Sequence, residues 1–233
     1  MNKMISVLMS VFNDQENIDN AILSILNQTY KNFEFLIIDD CSEDNTYDKL
    51  IHHQKNDPRI KIFKNDKNIG LTKSLNFLLS KSQGDFIARQ DSDDISFVDR
   101  FAKQYVELEK EDIAGCTSRA IIKNSSRVSP NRSFYLPKKF VMNIKNPFVH
   151  GSLFLRKDEI LNIGGYDENF YYAQDYKLMS DLIRKNKLVS ILKEPLYLLN
   201  LENNISTNFR LEQKYYAQCV KRRIIPDLNN VNI

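Results

Sequence analysis

Residues 33–40 read FEFLIIDD, a largely apolar, β-prone run closed by two aspartates. A half-exposed strand alternates apolar and polar residues, whereas a strand covered on both faces reads as a continuous hydrophobic run. The stretch therefore predicts a parallel strand sandwiched between helices. Working outward, ISVLMSVF (5–12) is a second run of the same kind. Between the two, Ile18, Ala21, Ile22, Ile25 and Leu26 recur at spacings of three and four, one stripe of a helix that begins near Asp14. Downstream the unit repeats, with a helix from about Asp44 to Gln54, a strand at RIKIFKN (59–65), a helix marked by Leu71, Leu75, Leu78 and Leu79, and a strand at DFIARQ (85–90). This order predicts an α/β fold, an open and mostly parallel sheet with right-handed crossovers and helices on both faces.

After Asp99 a helix carrying Phe101, Tyr105 and Leu108 leads to Gly115, and the regularity weakens. NSSRVSPNRSFYLP (124–137), polar and broken by two prolines, predicts a loop. NPFVHGSLFLRKDEILNIGGYDENF (146–170) predicts a strand, a short helix and a Gly-Gly turn. A helix is expected over 173–185, and a last one over 208–225 ends in Lys221, Arg222 and Arg223. No repeat or flexible linker separates these parts, so they are expected to share one body.

The 233 residues are 42% hydrophobic, enough for a real core, and the net charge of +3 is too small and dispersed to mark a nucleic-acid binder. Cys41, Cys116 and Cys219 are odd in number and far apart, which fits a reducing compartment better than a disulfide framework. The opening apolar run of about eight residues is too short for a signal core, and no window reaches the ~18 apolar residues of a membrane span. A cytoplasmic protein is expected, at most attached to a membrane surface. Tyr215, Tyr216 and the Lys-Arg-Arg cluster suit an interfacial helix, and a solvated capping helix is the alternative.

In open α/β sheets ligands bind beyond the carboxyl ends of the strands. The first strand ends at Phe12, the second at Asp39 and Asp40, and the fourth at QDSDD (90–94), so their polar residues converge on one rim. Strand-end aspartates commonly cap turns, and that account serves Asp94 and whichever of Asp39 and Asp40 points away from the rim. Asp91 and Asp93 differ, because alternate residues project to one side and two close carboxylates repel unless a cation offsets them. Mg²⁺ or Mn²⁺ takes oxygen ligands and is held by one or two carboxylates plus substrate phosphates. Neither GxGxxG nor GxxxxGK[ST] occurs, so no glycine cradle for phosphate is predicted.

Four segments in order resemble the inverting glycosyltransferases of family 2, which have the GT-A fold: SVLMSVFNDQENIDNAILSILNQTYKNFEFLIIDDCSEDNT, NIGLTKSLNFLLSKSQGDFIARQDSDDIS, HGSLFLRKDEILNIGGYDENF and AQDYKLMSDL. ARQDSDDIS is most similar to bacterial members that build surface polysaccharides and glycolipids. The resemblance implies a nucleotide-sugar donor, UDP-linked by first choice, a saccharide or lipid-linked saccharide acceptor, and Mn²⁺ or Mg²⁺. It divides the chain into a nucleotide-sugar half (1–115), an acceptor and catalytic-base half (116–207), and a C-terminal helix and tail (208–233). It implies that Asp40 binds the base beside the backbone near Ser10 and Phe12, that Asp91 lies near the ribose and sugar, that Asp93 ligates the metal, and that Asp175 is the catalytic base. Asp175 precedes Leu178 and Met179 by three and four residues, on the inward stripe near a helix start, where a carboxylate is either a cap or a base aimed into the cleft.

Gln174 stands where the family usually has Glu, and in YLLN (197–200) Leu198 and Asn200 take the places of a usual Arg and His. His150 matches a site-lining His and equally fits a surface loop. Arg89 fits contact with donor phosphate or pairing with a carboxylate. Asn68 and Lys73 could reach the nucleotide, with solvation the alternative for Lys73. His52 and His53 have no partners for a zinc set. A binding module of the same fold that has lost catalysis is the rival reading. A sugar-1-phosphate nucleotidyltransferase fits less well, since SVFNDQEN lacks that class's Gly-rich basic loop.

Overall fold

The computed structural model describes residues 3–110, 112–202 and 209–227. The expected limits of the second half at 203–207 and of the tail at 228–233 lie outside the described residues. The first seven elements follow the predicted order: β1 (Ile5–Val11), α1 (Ile18–Leu26), β2 (Phe33–Asp39), α2 (Thr46–Asn56), β3 (Ile60–Lys64), α3 (Leu71–Lys81) and β4 (Phe86–Arg89). Then come β5 (Ile95–Ser96), α4 (Arg100–Leu108), β6 (Ile113–Ile122), β7 (Val128–Ser129), α5 (Lys138–Val141), β8 (Phe154–Arg156), α6 (Lys157–Asn162), α7 (Gln174–Arg184), β9 (Leu188–Leu199) and α8 (Arg210–Arg222). The loop expected at 124–137 contains β7 and a 3-10 turn at Arg132–Tyr135.

Among the described residues one sheet runs β3-β2-β1-β4-β8-β6-β9-β5, with β7 on β6. Its first four strands are parallel. β8 enters antiparallel to β4 and β6, β6 runs parallel to β9, and β5 runs antiparallel to β9. The continuous runs are buried on both faces, as predicted. Ile5, Val7, Met9 and Val11 pack with Ile18, Ala21, Ile22, Ile25 and Leu50 in one layer. Leu8, Leu36 and Ile38 face the other way, onto Leu75 and Leu78 and the α7 and α8 side chains Leu178, Leu182 and Val220. Each such fully buried aliphatic chain contributes about 1.5–3 kcal/mol.

Arg100 fastens the two halves. It is fully buried, stacks between Phe101 and Tyr197, and donates to the carbonyls of Gly151 and Arg89, both at 2.9 Å. Desolvation lowers its pKa to about 10, so it stays charged at neutral pH. The end of β4 and the turn His150–Ser152 are thereby held together.

Candidate active site

Parallel register brings the strand ends side by side: the Asp40 N–H donates to the Val11 carbonyl at 2.8 Å, and the Gln90 N–H to that of Leu8 at 3.1 Å. The chain leaving β4 is then fixed residue by residue. The Asp91 carboxylate accepts from the buried Arg89 guanidinium at 2.5 Å, and its N–H donates to the Tyr197 hydroxyl at 3.2 Å. The Ser92 hydroxyl donates to Asp14 at 2.6 Å. Asp94 is buried and accepts the Asn200 N–H at 2.6 Å. Gly151 lies beneath this turn, where an added Cβ would stand 2.3 Å from the Tyr197 hydroxyl and 2.7 Å from an Asp91 oxygen.

Asp93 is the carboxylate least compensated: its own backbone N–H and the Lys123 ammonium only partly offset burial and its acidic neighbours. Burial, with Asp91 and Asp14 pushing the same way, raises its pKa to about 7. Burial beside Asp91 and Asp93 likewise holds Asp94 well above the usual range. Asp93 lines a cavity of about 500 Å³ with Asn17, Asn20, Ser24 and Asn27 of the α1 side, Lys123, and the apolar Leu23, Ile95 and Val98. Among the described residues no three His, Cys, Asp or Glu side chains come together to hold a metal. One under-compensated carboxylate at an open cavity still fits a cation whose remaining ligands are phosphate oxygens and water.

At β2, Asp40 is 3% exposed and accepts from Asn65 Nδ2 (2.7 Å) and the N–H groups of Ile69 (2.9 Å) and Gly70 (2.8 Å). Its carboxylate thus ties the strand end to the 65–70 loop that carries exposed Asn68 and leads to exposed Lys73. Asp39, on the opposite face, accepts the Ser42 N–H at 3.2 Å, and its other oxygen is buried without a hydrogen-bond partner. Ser10 is half-buried beside Ile38, and Phe12 is exposed on the rim. Asp40→Asn cannot accept from all three loop donors and is expected to cost about 2 kcal/mol. A melting point about 6 °C lower, measured by calorimetry, checks this.

Asp175 opens α7 after Ala173, whose backbone is left-handed at φ 53°. Its carboxylate accepts from Asn146 Nδ2 at 2.7 Å. Gln174 is buried beside it. His150 meets the Tyr166 hydroxyl at 2.9 Å. Burial, reinforced by Arg89, lowers the imidazole pKa, while Asp175 and Asp91 act on it in the other direction. The imidazole is neutral at pH 7 and lies within the field of both carboxylates. A second cavity, of about 240 Å³, is lined by Arg127, Lys145 and Asn146.

Two sequence expectations change. Arg89 is 1% exposed and turned inward, bonded to Asp91 and to the Leu8 carbonyl at 3.2 Å, so it braces the motif from below and does not face a donor phosphate. Tyr216 is buried against Phe170 and Tyr172, and the Tyr215 hydroxyl bonds residue 227, so these rings do not form an interfacial face. Tyr197, Arg100, Asp14 and Asn146 had no signal in the sequence, because each acts through a partner far along the chain.

The comparisons with known proteins agree with this geometry. The WbnJ O-antigen biosynthesis glycosyltransferase of Escherichia coli is 37% identical over 185 residues, 75% of this chain and 70% of that protein. WfgD of the same species, a UDP-Glc:alpha-D-GlcNAc-diphosphoundecaprenol beta-1,3-glucosyltransferase, is 32% identical over 191 residues, 81% of this chain and 73% of WfgD. A Bacillus subtilis relative is 35% identical over 170 residues, and the chain spans 59% of its length. Among solved structures, Staphylococcus aureus TarS 1–349 with UDP-GlcNAc superposes at TM-score 0.73 with 19% identity, covering 86% of this chain and 59% of that one. The Pyrobaculum calidifontis mannosyltransferase PcManGT with GDP-Man and Mn²⁺ gives 0.74 with 16% identity, covering 91% and 61%. These similarities show the GT-A fold. With residues 6–164 matched by the model of glycosyl transferase family 2, the chain belongs to that family.

Proposed function

We propose that the chain is a divalent-cation-dependent, inverting glycosyltransferase that moves a sugar from a nucleoside diphosphate donor to a hydroxyl of a saccharide or lipid-linked saccharide. The observation that carries this reading is Asp93, a carboxylate pushed to about 7 at the edge of an open cavity and beside a second carboxylate. Asp93, with Asp91 behind it, would hold Mn²⁺ or Mg²⁺, which when bound offsets charge on the leaving diphosphate. Arg89 and Tyr197 fix Asp91 toward the ribose and sugar. Asp40 shapes the nucleotide edge through its loop, with Ser10 and Phe12 forming the adjoining rim and Asn68 and Lys73 at its far side. Asp175, held by Asn146, takes the acceptor's hydroxyl proton as that oxygen bonds to the anomeric carbon. The bond from that carbon to the diphosphate oxygen breaks on the opposite face, so configuration inverts and no covalent enzyme intermediate forms. Gln174 and the neutral His150 border the acceptor side.

A uridine donor is expected first, by similarity to the proteins named with UDP-sugars. Screening nucleotide sugars for cation-dependent hydrolysis tests this. Release of UDP that stops with chelator supports it, and no nucleotide bound or hydrolysed with any donor overturns it. A second reading, donor binding without transfer, draws on Asn200, where a family His would stand; its side chain instead accepts the Glu202 N–H at 3.1 Å. Donor affinity without any turnover would favour that reading.

A further inference from the structure

From residue 113 to 157 the chain carries nine basic residues and no Asp or Glu. Two side-chain contacts draw part of this run onto one end of the molecule. Lys139 Nζ donates to Asn186 Oδ1 at 3.1 Å, just after α7, and Arg184 at the end of α7 donates to the Val220 carbonyl of α8 at 2.9 Å. The 132–145 segment and the Lys221–Ile225 segment therefore flank the same helix end. Their exposed cations are Arg132, Lys139, Lys145, Lys221, Arg222 and Arg223. Interleaved with them, Tyr135, Leu136, Phe140, Ile144, Ile224 and Ile225 are each 47–70% exposed. Glu159 and Asp181, at this end, are paired with Lys187 (2.9 Å) and Lys177 (2.5 Å).

We propose that this composite face docks on an anionic membrane surface. Large apolar side chains set among cations match the headgroup boundary of an anionic leaflet, where rings and aliphatic chains enter and lysines meet phosphates. An isolated apolar face would fit many protein partners; a purely cationic one would fit any polyanion. The combination commits to lipid. The membrane contact expected from Tyr215 and Tyr216 is thereby moved, since those rings are committed to the protein, while the 132–145 segment takes the leading part. The face also continues into the site: Lys145 precedes Asn146, and both line the 240 Å³ cavity beside Asp175. A docked molecule would present that cavity toward the bilayer.

Flotation of the full chain with phosphatidylcholine vesicles, with and without 30% phosphatidylglycerol, tests the proposal, and it contains no nucleotide, so it stands or falls apart from the glycosyl-transfer reading. The wild type is expected to float with the anionic vesicles only, and less as salt rises. Arg132→Glu/Lys139→Glu/Lys145→Glu is expected to weaken partitioning at least about 100-fold, from ~1 kcal/mol per cation. Phe140→Ser/Ile144→Ser, which keeps every charge, is expected to lose the binding that survives at high salt. All five positions are exposed, and unchanged melting confirms that the variants fold. No wild-type binding to anionic vesicles, or wild-type binding by the triple variant, overturns the proposal. A wild type that self-associates through this face without binding lipid also overturns it.

Discussion

Asp93→Asn is expected to abolish cation-dependent donor binding, to lower transfer about 1,000-fold or more, and to make the metal-free protein more stable at pH 8. The activity loss follows from removing the carboxylate that offsets the leaving diphosphate's charge through a cation, an effect of several kcal/mol. The stability gain follows from linkage. The folded-state pKa is raised from 3.8 to about 7, so between those values the native state holds more protons than the unfolded chain. Stability is therefore fully present below about pH 4 and falls as pH rises through 7. Each pH unit of displacement is about 1.4 kcal/mol, so ionising Asp93 without a cation costs up to about 4 kcal/mol. Asn cannot ionise and escapes that cost. Calorimetry of both proteins in chelator should show the variant melting several degrees higher at pH 8 and level with wild type at pH 4. Equal melting at pH 8, or unchanged cation-dependent nucleotide affinity, would remove Asp93 from this role.

Asp175→Asn is expected to leave donor affinity within about threefold of wild type and to lower transfer about 1,000-fold, the range of a lost general base. The substitution keeps the size of the side chain and leaves its oxygen free to accept from Asn146, so the start of α7 should not move. Tyr176, the next residue, is anchored independently through its hydroxyl to the Met142 carbonyl. Titration with nucleotide and single-turnover transfer measured on one preparation separate binding from chemistry. Retention of more than a tenth of the wild-type rate would show that another group accepts the proton.

The legible part of the fold was the part whose hydrophobic pattern is strongest. FEFLIIDD and ISVLMSVF announced a doubly covered parallel sheet because no other common setting buries both faces of a strand. The second half was harder. β6, IAGCTSRAII, has small and polar residues in place of a run, and β9 contains Pro195 and pairs with β6 through register shifts around Ser118–Ala120. Their stability comes from pairing with each other across some 75 residues of chain, which no local window contains.

The site divided in the same way. Strand-end aspartates and their spacing marked where charge gathers, since the carboxyl ends of parallel strands must open on one rim. Which carboxylate is least compensated was a tertiary matter. Asp40 is engaged by its loop, Asp91 by Arg89, and Asp94 by Asn200, all through partners that only packing supplies. The sequence by itself determined the sheet, its helices and the acidic rim, because backbone pairing and burial follow local periodicity. Only the tertiary structure left Asp93 under-compensated, turned Arg89 inward and gave Asp175 to Asn146, because charge compensation depends on distance in space.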